Sequence, residues 1–103
     1  MNGVDLEQKQ REEARWRTLR VLDAGRPIAV SENIVWRILN DVSLSLSISA
    51  LRRELDYLRT LGLIEIDGQQ TGTWYARLTA RSVDVVEYTI DAPPGVGRPR
   101  KYW

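Results

Sequence analysis

The segment SISALRRELDYLRTLGLIEID, residues 47–67, changes partway from helical to extended spacing of its apolar side chains. Ile48, Leu51, Leu55 and Leu58 recur every three or four residues, which predicts one buried face of a helix. The following LIEI alternates apolar and acidic side chains, as in a half-buried strand. Gly62 separates the two patterns, and glycine favours the left-handed conformation that ends many helices. The segment therefore predicts a helix that turns directly into a strand and carries its arginines outward.

The flanking sequence predicts three more helices and a returning strand. Residues 5–24 are rich in helix formers, and a second helix is predicted from Ser31, a favourable N-cap residue. The serine-rich link NDVSLSLS ends that helix, and Ser45 or Ser47 begins the third. Beyond the strand, DGQQTG predicts a turn and TWYARLT a returning strand, after which Thr79 caps a short fourth helix. We therefore predict a mainly α protein with a small β-hairpin, an α+β fold with three core helices, a two-stranded hairpin and a C-terminal helix.

The core and the domain boundary follow from the same patterns. The apolar stripe of the second helix is predicted to be Ile34, Val35, Ile38 and Leu39. The residues predicted to meet in one core are Ile38, Leu51, Leu55, Leu58, Leu63 and Leu78. We predict one domain over residues 1–91, including a projecting N-terminal helix. Residues 92–103 contain three prolines and two glycines, so they are predicted to form an extended tail.

The chain contains neither cysteine nor histidine, which removes several kinds of site. Disulfides, thiolate nucleophiles, zinc fingers and imidazole metal sites all require those residues. Histidine is also the commonest general acid–base side chain, and no Gly-rich phosphate loop occurs. We therefore predict that the protein is not an enzyme and uses no cofactor, metal ion or small-molecule substrate. The polar N-terminus is not a secretory signal and no apolar run is long enough to span a membrane, so we expect a cytoplasmic protein.

The order of elements resembles the winged helix-turn-helix, in which the hairpin is called the wing. LSISALRRELDYLRTLGLIEI is similar to the pattern of ArsR-like and MarR-like regulators, and RLTARS resembles the short step that leads those families into a final helix. The whole chain, including PPGVGRPRKYW, resembles small winged-helix proteins of Mu-like bacteriophages and prophages. This resemblance implies binding to double-stranded DNA, as a transcriptional regulator or an accessory factor. The link between the second and third helices is longer than in the regulators, and the ligands of their metal-sensing members are missing.

A helix that enters the major groove presents the outward side of its first turns to bases and phosphates. Small residues allow close approach, serine hydroxyls and helix-start amides bind phosphate, and arginine binds phosphate or guanine. The residues of the third helix predicted to contact DNA are Ser47, Ser49, Ala50, Arg52 and Arg53. The alternative is a solvated helix face on which Glu54 and Asp56 neutralise the two arginines.

Two weaker DNA contacts are predicted, one at the wing and one in the tail. The wing residues are Gln69, Gln70 and Thr71, which can donate hydrogen bonds although Glu65 and Asp67 flank the wing. The tail residues are Arg98, Arg100 and Lys101 in GRPRK, which resembles the Gly-Arg-Pro core of the AT-hook that lies in narrow minor grooves. The alternative for the tail is a segment folded across the domain.

A net charge of +1 and an acidic wing favour a second class of function. In that alternative the winged helix is a protein-interaction module with a phage protein partner, in an assembly or DNA-packaging complex. A homodimer is predicted under the regulator hypothesis. The polar first half of the first helix has little to bury, so we expect self-association through this helix and through the fourth.

Overall fold

The computed structural model describes residues 5–101, in which four helices pack with a small three-stranded antiparallel sheet. The helices are α1 (Leu6–Gly25), α2 (Glu32–Asp41), α3 (Ile48–Thr60) and α4 (Ala80–Val86). The strands are β1 (Val30–Ser31), β2 (Ile64–Asp67) and β3 (Tyr75–Leu78). This architecture confirms the α+β prediction. No helix within residues 5–101 combines the length and the apolar character needed to cross a bilayer.

The helix boundaries follow from local capping. The hydroxyls of Ser31 and Ser47 accept hydrogen bonds from backbone amides three residues on, at 3.3 Å and 3.0 Å. Thr79 forms a reciprocal capping box with Ser82 at the start of α4. Such caps satisfy amides that lack a partner inside the helix. Gly62 has a φ of 74°, in the left-handed region, and turns the chain from the end of α3 toward β2.

The sheet contains one strand more than the sequence predicted. Its order is β1-β3-β2, with Val30 opposite Ala76 and Ile64 opposite Leu78. The additional strand β1 has only two residues, which are too few to display the alternation of apolar and polar side chains that predicts a strand. The prediction of two strands is therefore corrected to three.

The core lies between α1, α2, α3 and the sheet. Leu51, Leu55, Leu58 and Leu63 are completely buried, as predicted, and Leu78 is half-buried against the same cluster. The prediction for Ile38 is wrong, since 40% of this residue is exposed. The buried residues of α2 include Val35 and Leu39, and the 100° step of an α-helix then turns Ile34 and Ile38 toward solvent.

Residues 93–98, called the strap here, lie across α1 and α4. The Gly97 amide donates to the Glu12 carbonyl at 2.9 Å, and Arg15 Nη1 donates to the Gly95 carbonyl at 2.9 Å. Val96 is buried in the core cluster. The strap contains a turn at Pro94 and Gly95, closed by a hydrogen bond from the Val96 amide to the Pro93 carbonyl at 3.3 Å, so it is not extended throughout. Its packing agrees with the alternative in which the tail folds across the domain.

We expect Gly95→Ala to detach the strap. Gly95 has a φ of 93°, and an added Cβ would collide with the hydroxyl of Tyr57, which packs against the strap. Gly72→Ala is the matched control, because its φ of 105° carries the same backbone strain while the new Cβ meets no atom within 4 Å. Both variants should lose about 1–2 kcal/mol of stability to that strain. Only Gly95→Ala should speed hydrogen exchange of the Gly97 amide, which donates to the Glu12 carbonyl, and equal exchange in the two variants would contradict the prediction.

Candidate nucleic-acid interface

Four of the five residues predicted to contact DNA lie together at the start of α3, where the helix is accessible to solvent. Ser47 caps the helix, Ser49 is exposed, and Ala50 is half-buried beside them. Arg53 is exposed one turn after Ser49, and within residues 5–101 its guanidinium has neither an ion-pair nor a hydrogen-bond partner. An arginine in that state is available to an external phosphate or base edge.

Arg52, the fifth predicted contact, is half-buried and is bonded to other groups of the protein. Its Nε and Nη2 donate to the two carboxylate oxygens of Glu32 at 2.7 Å and 2.6 Å. Nη2 also donates to the Gly72 carbonyl at 2.7 Å, and the guanidinium carbon lies 4.8 Å from the centre of a Trp74 ring. Arg52 therefore joins α3 to the start of α2 and to the β2–β3 hairpin.

Glu32 completes this connection and is only 3% exposed. Its Oε2 accepts from the Trp74 amide at 2.9 Å, and its own amide donates to the Trp74 carbonyl at 2.8 Å. The hydrogen bond from Arg52 lowers the pKa of Glu32, against the opposing effect of burial. The same bond raises the pKa of Arg52. The group Glu32, Arg52 and Trp74 is called the hairpin clamp below.

The role of Glu32 could not be found from the sequence. The residue stands in the first turn of α2, where an acidic side chain is favourable at any helix start. Its partner Arg52 is 20 residues away in a different helix. The two side chains meet only because α2 packs on α3. The spacing of residues within either helix therefore does not predict this ion pair.

The acidic residues near the two arginines bind other partners. Glu54 is buried and accepts from Arg15 Nε of α1 at 2.7 Å. Asp56 accepts from Arg59 in the last turn of α3 at 3.0 Å. Neither carboxylate neutralises Arg53, so the start of α3 keeps a local positive charge.

The hairpin tip is polar and has no excess positive charge. Gln69 and Gln70 are exposed, while the Thr71 hydroxyl donates to the Gly68 carbonyl at 3.1 Å and closes the turn. Arg77, the single basic residue between positions 64 and 78, pairs with Glu65 at 3.0 Å and with Asp67 at 3.6 Å. The hydrogen bond to Glu65 raises the pKa of Arg77.

The basic residues of the tail lie beside α4. Arg98 Nη1 donates to the carbonyls of Val85 and Ile90 at 2.9 Å and 2.8 Å, and its guanidinium lies 4.2 Å from the Tyr88 ring centre. Arg100 and Lys101 are exposed beyond it. Of the three predicted tail contacts, Arg98 is thus bonded to backbone carbonyls, and Arg100 and Lys101 are exposed residues.

Residues 5–101 contain no group of three acidic side chains arranged to hold a metal ion. Comparison with known proteins finds no family model, no curated protein and no solved structure that matches this chain.

Proposed function

We propose that the chain is a winged helix-turn-helix protein that binds double-stranded DNA, with α3 in the major groove and the β2–β3 hairpin as the wing. The role proposed for it is that of a transcriptional regulator or an accessory DNA-binding factor in a phage or prophage, in line with the resemblance of the full chain. The observation that carries the proposal is the unpaired, exposed Arg53 on the first turns of α3.

The two neighbouring arginines of α3 have different roles in this proposal. Arg53 contacts a phosphate or a guanine directly, with Ser47, Ser49 and Ala50 allowing the helix start to approach the duplex. Arg52 acts indirectly, because its bonds to Glu32 and to Gly72 hold the wing beside α3. A wing held in this way loses little conformational entropy when DNA binds.

The wing and the tail contribute less to binding than α3. Gln69 and Gln70 can donate hydrogen bonds to the sugar–phosphate backbone, whereas the hydroxyl of Thr71 already donates within the turn. Arg100 and Lys101 add positive charge near the strap. An AT-hook-like contact by Arg98 requires it to leave the carbonyls of Val85 and Ile90, so the docked tail does not read the minor groove.

We expect salt-dependent binding to random-sequence duplex DNA, measured by fluorescence anisotropy across a salt series. Phosphate contacts release counterions, so the affinity must fall linearly on a log–log plot against salt. Arg53→Ala should lower the magnitude of that slope by about 1 if the side chain binds phosphate, or cost about 1–3 kcal/mol at one base position if it binds guanine. Arg59→Ala is the matched control, since Arg59 is exposed on the last turn of α3 and is paired with Asp56. If the parent protein, Arg53→Ala and Arg59→Ala all bind DNA with the same affinity and salt dependence, Arg53 does not contact DNA.

The second candidate function is a protein-interaction module in a phage assembly or DNA-packaging complex. It is favoured by the wing, where Glu65 and Asp67 both pair with Arg77 and no basic side chain is left for phosphate. The salt series separates the two functions, because an interaction module shows no salt-dependent affinity for duplex DNA.

A further inference from the structure

A cleft opens beside the residues of α3 that are proposed to contact DNA. It has a volume of about 370 Å³ and lies between the first half of α1, the link residues 43–46 and the first turns of α3. Ala50 and Arg53, which belong to the proposed DNA-binding face, form part of its wall. The cleft is therefore continuous with that face, and the residues of α1 on its other wall border the same space as Arg53.

The wall formed by α1 contains a second arginine, which is held only loosely. Arg11 lines the cleft, and its side chain is 45% exposed. Its one partner within residues 5–101 is Glu7, one turn earlier, at a nitrogen–oxygen distance of 3.7 Å. That distance is too long for a hydrogen bond, and an exposed ion pair of this kind contributes little to stability. A phosphate can therefore replace Glu7 as the partner of Arg11 at a small cost in free energy.

The carboxylates near the cleft do not cancel its positive charge. Glu54 lies in the wall, but it is buried and accepts a hydrogen bond from Arg15 Nε at 2.7 Å. Glu7 is the other acidic residue of the wall. The cleft and Arg15 together thus hold three arginines and two glutamates, and the guanidinium of Arg53 has no partner in the part of the chain that the structure describes.

The link between α2 and α3 adds neutral donors to the same cleft. Ser43 and Ser45 line it, both are exposed, and neither hydroxyl has a hydrogen-bond partner among residues 5–101. Arginine side chains and serine hydroxyls are groups that protein–DNA interfaces use to bind phosphate. A helix with its side chains is about 10–12 Å wide and the major groove about 12 Å, so groups beside a helix in the groove meet the sugar–phosphate backbone.

We propose that one sugar–phosphate backbone of the bound duplex enters this cleft, where Arg11 of α1 contacts a phosphate next to the group that Arg53 contacts. This inference rests on the proposed function and adds α1 to an interface that the sequence assigned to α3, the wing and the tail. Glu7 gives up its partner when DNA binds. The contact at Arg11 is independent of base sequence, because phosphate contacts position a protein without reading bases.

The role of Arg11 is tested by DNA binding across a salt series. Arg11→Ala should lower the magnitude of the salt slope by about 1 and weaken binding to unrelated duplex sequences by the same factor. Arg17→Ala is the matched control, because Arg17 is equally exposed on α1, also pairs with a glutamate four residues earlier, and lies outside the cleft. If the parent protein binds DNA and the two variants have equal slopes, the inference is wrong although the proposed function stands. A parent protein without salt-dependent binding overturns both.

Removing the carboxylate that competes for Arg11 should have the opposite effect. Glu7→Gln should strengthen DNA binding about 1.5- to 5-fold relative to Glu13→Gln, the factor that corresponds to the usual strength of an exposed ion pair. Glu13→Gln removes the same charge from the partner of Arg17, outside the cleft. Both glutamates are exposed, so circular dichroism should show both variants folded. Equal affinities of the two variants for DNA would show that Glu7 and a phosphate do not share Arg11, and the inference would fail.

Discussion

We expect Leu55→Ala to lower the free energy of unfolding by about 2–5 kcal/mol, the usual cost of removing a large side chain from a closed core. Leu55 is completely buried near the middle of α3, within the cluster shared by the helices and the sheet. The substitution removes three carbons and leaves a cavity that the surrounding elements cannot fill without moving. Urea or thermal unfolding monitored by circular dichroism measures the change.

Ile28→Ala is the control for this experiment. Ile28 is the most exposed of the large aliphatic residues between positions 5 and 101, at 71%. Removing it should change stability by less than about 0.5 kcal/mol, as surface substitutions usually do. Similar losses in the two variants would mean that α3 does not bury the face described here.

Glu32→Gln should destabilise the protein by about 1–3 kcal/mol, since the hairpin clamp loses its charge-assisted hydrogen bonds. Glutamine has nearly the same shape, so the volume of the site is unchanged. Its amide group has one oxygen only, so Arg52 loses one of its two acceptors in either orientation, and the Trp74 amide loses its acceptor in one of them. Glu65→Gln is the control, because the exposed pair of Glu65 with Arg77 contributes little.

The effect of Glu32→Gln should depend on pH in a defined direction. The folded protein holds the pKa of Glu32 below its ordinary value of 4.5, mainly through the hydrogen bond from Arg52. A carboxyl group with a lowered pKa in the folded state stabilises that state above its ordinary pKa. The stabilisation is lost as the pH falls through the lowered value. Parent and variant should therefore differ most at neutral pH and converge in acid, and a difference that stays constant with pH would contradict the clamp.

Most of the helical structure could be predicted because its signals are local. The starts of α2, α3 and α4 coincide with Ser31, Ser47 and Thr79, whose side chains cap the helices that follow them. The face of α2 that turns toward the core was harder to predict, since apolar residues cover more than half of the helix circumference. These residues are Ile34, Val35, Trp36, Ile38 and Leu39. Periodicity alone cannot decide which of them face inward when the apolar surface is that wide. The packing of α2 against α1 and α3 determines that Val35 and Leu39 face inward.

The candidate site was less predictable than the fold, for a reason that Arg52 and Arg53 illustrate. Adjacent residues on a helix point about 100° apart, so a shared chemical type does not give them a shared environment. Arg52 meets a buried carboxylate from α2, whereas Arg53 meets solvent. The partner of Arg52 is supplied by tertiary packing alone. The sequence shows that two arginines lie near the start of α3, but the number of them that is available to a ligand depends on the fold.

The strap also affects the order in which the protein folds during synthesis. Arg15 of α1 donates to Gly95, 80 residues later in the chain. At a synthesis rate of about 5–20 residues per second, α1 waits about 4–16 seconds for that partner. During this interval Arg15 lacks its carbonyl acceptor on Gly95, the Glu12 carbonyl lacks the Gly97 amide, and the core lacks Val96. A chain that ends before residue 93 and has left the ribosome should therefore hold a partly formed domain, which is completed only when the strap is present.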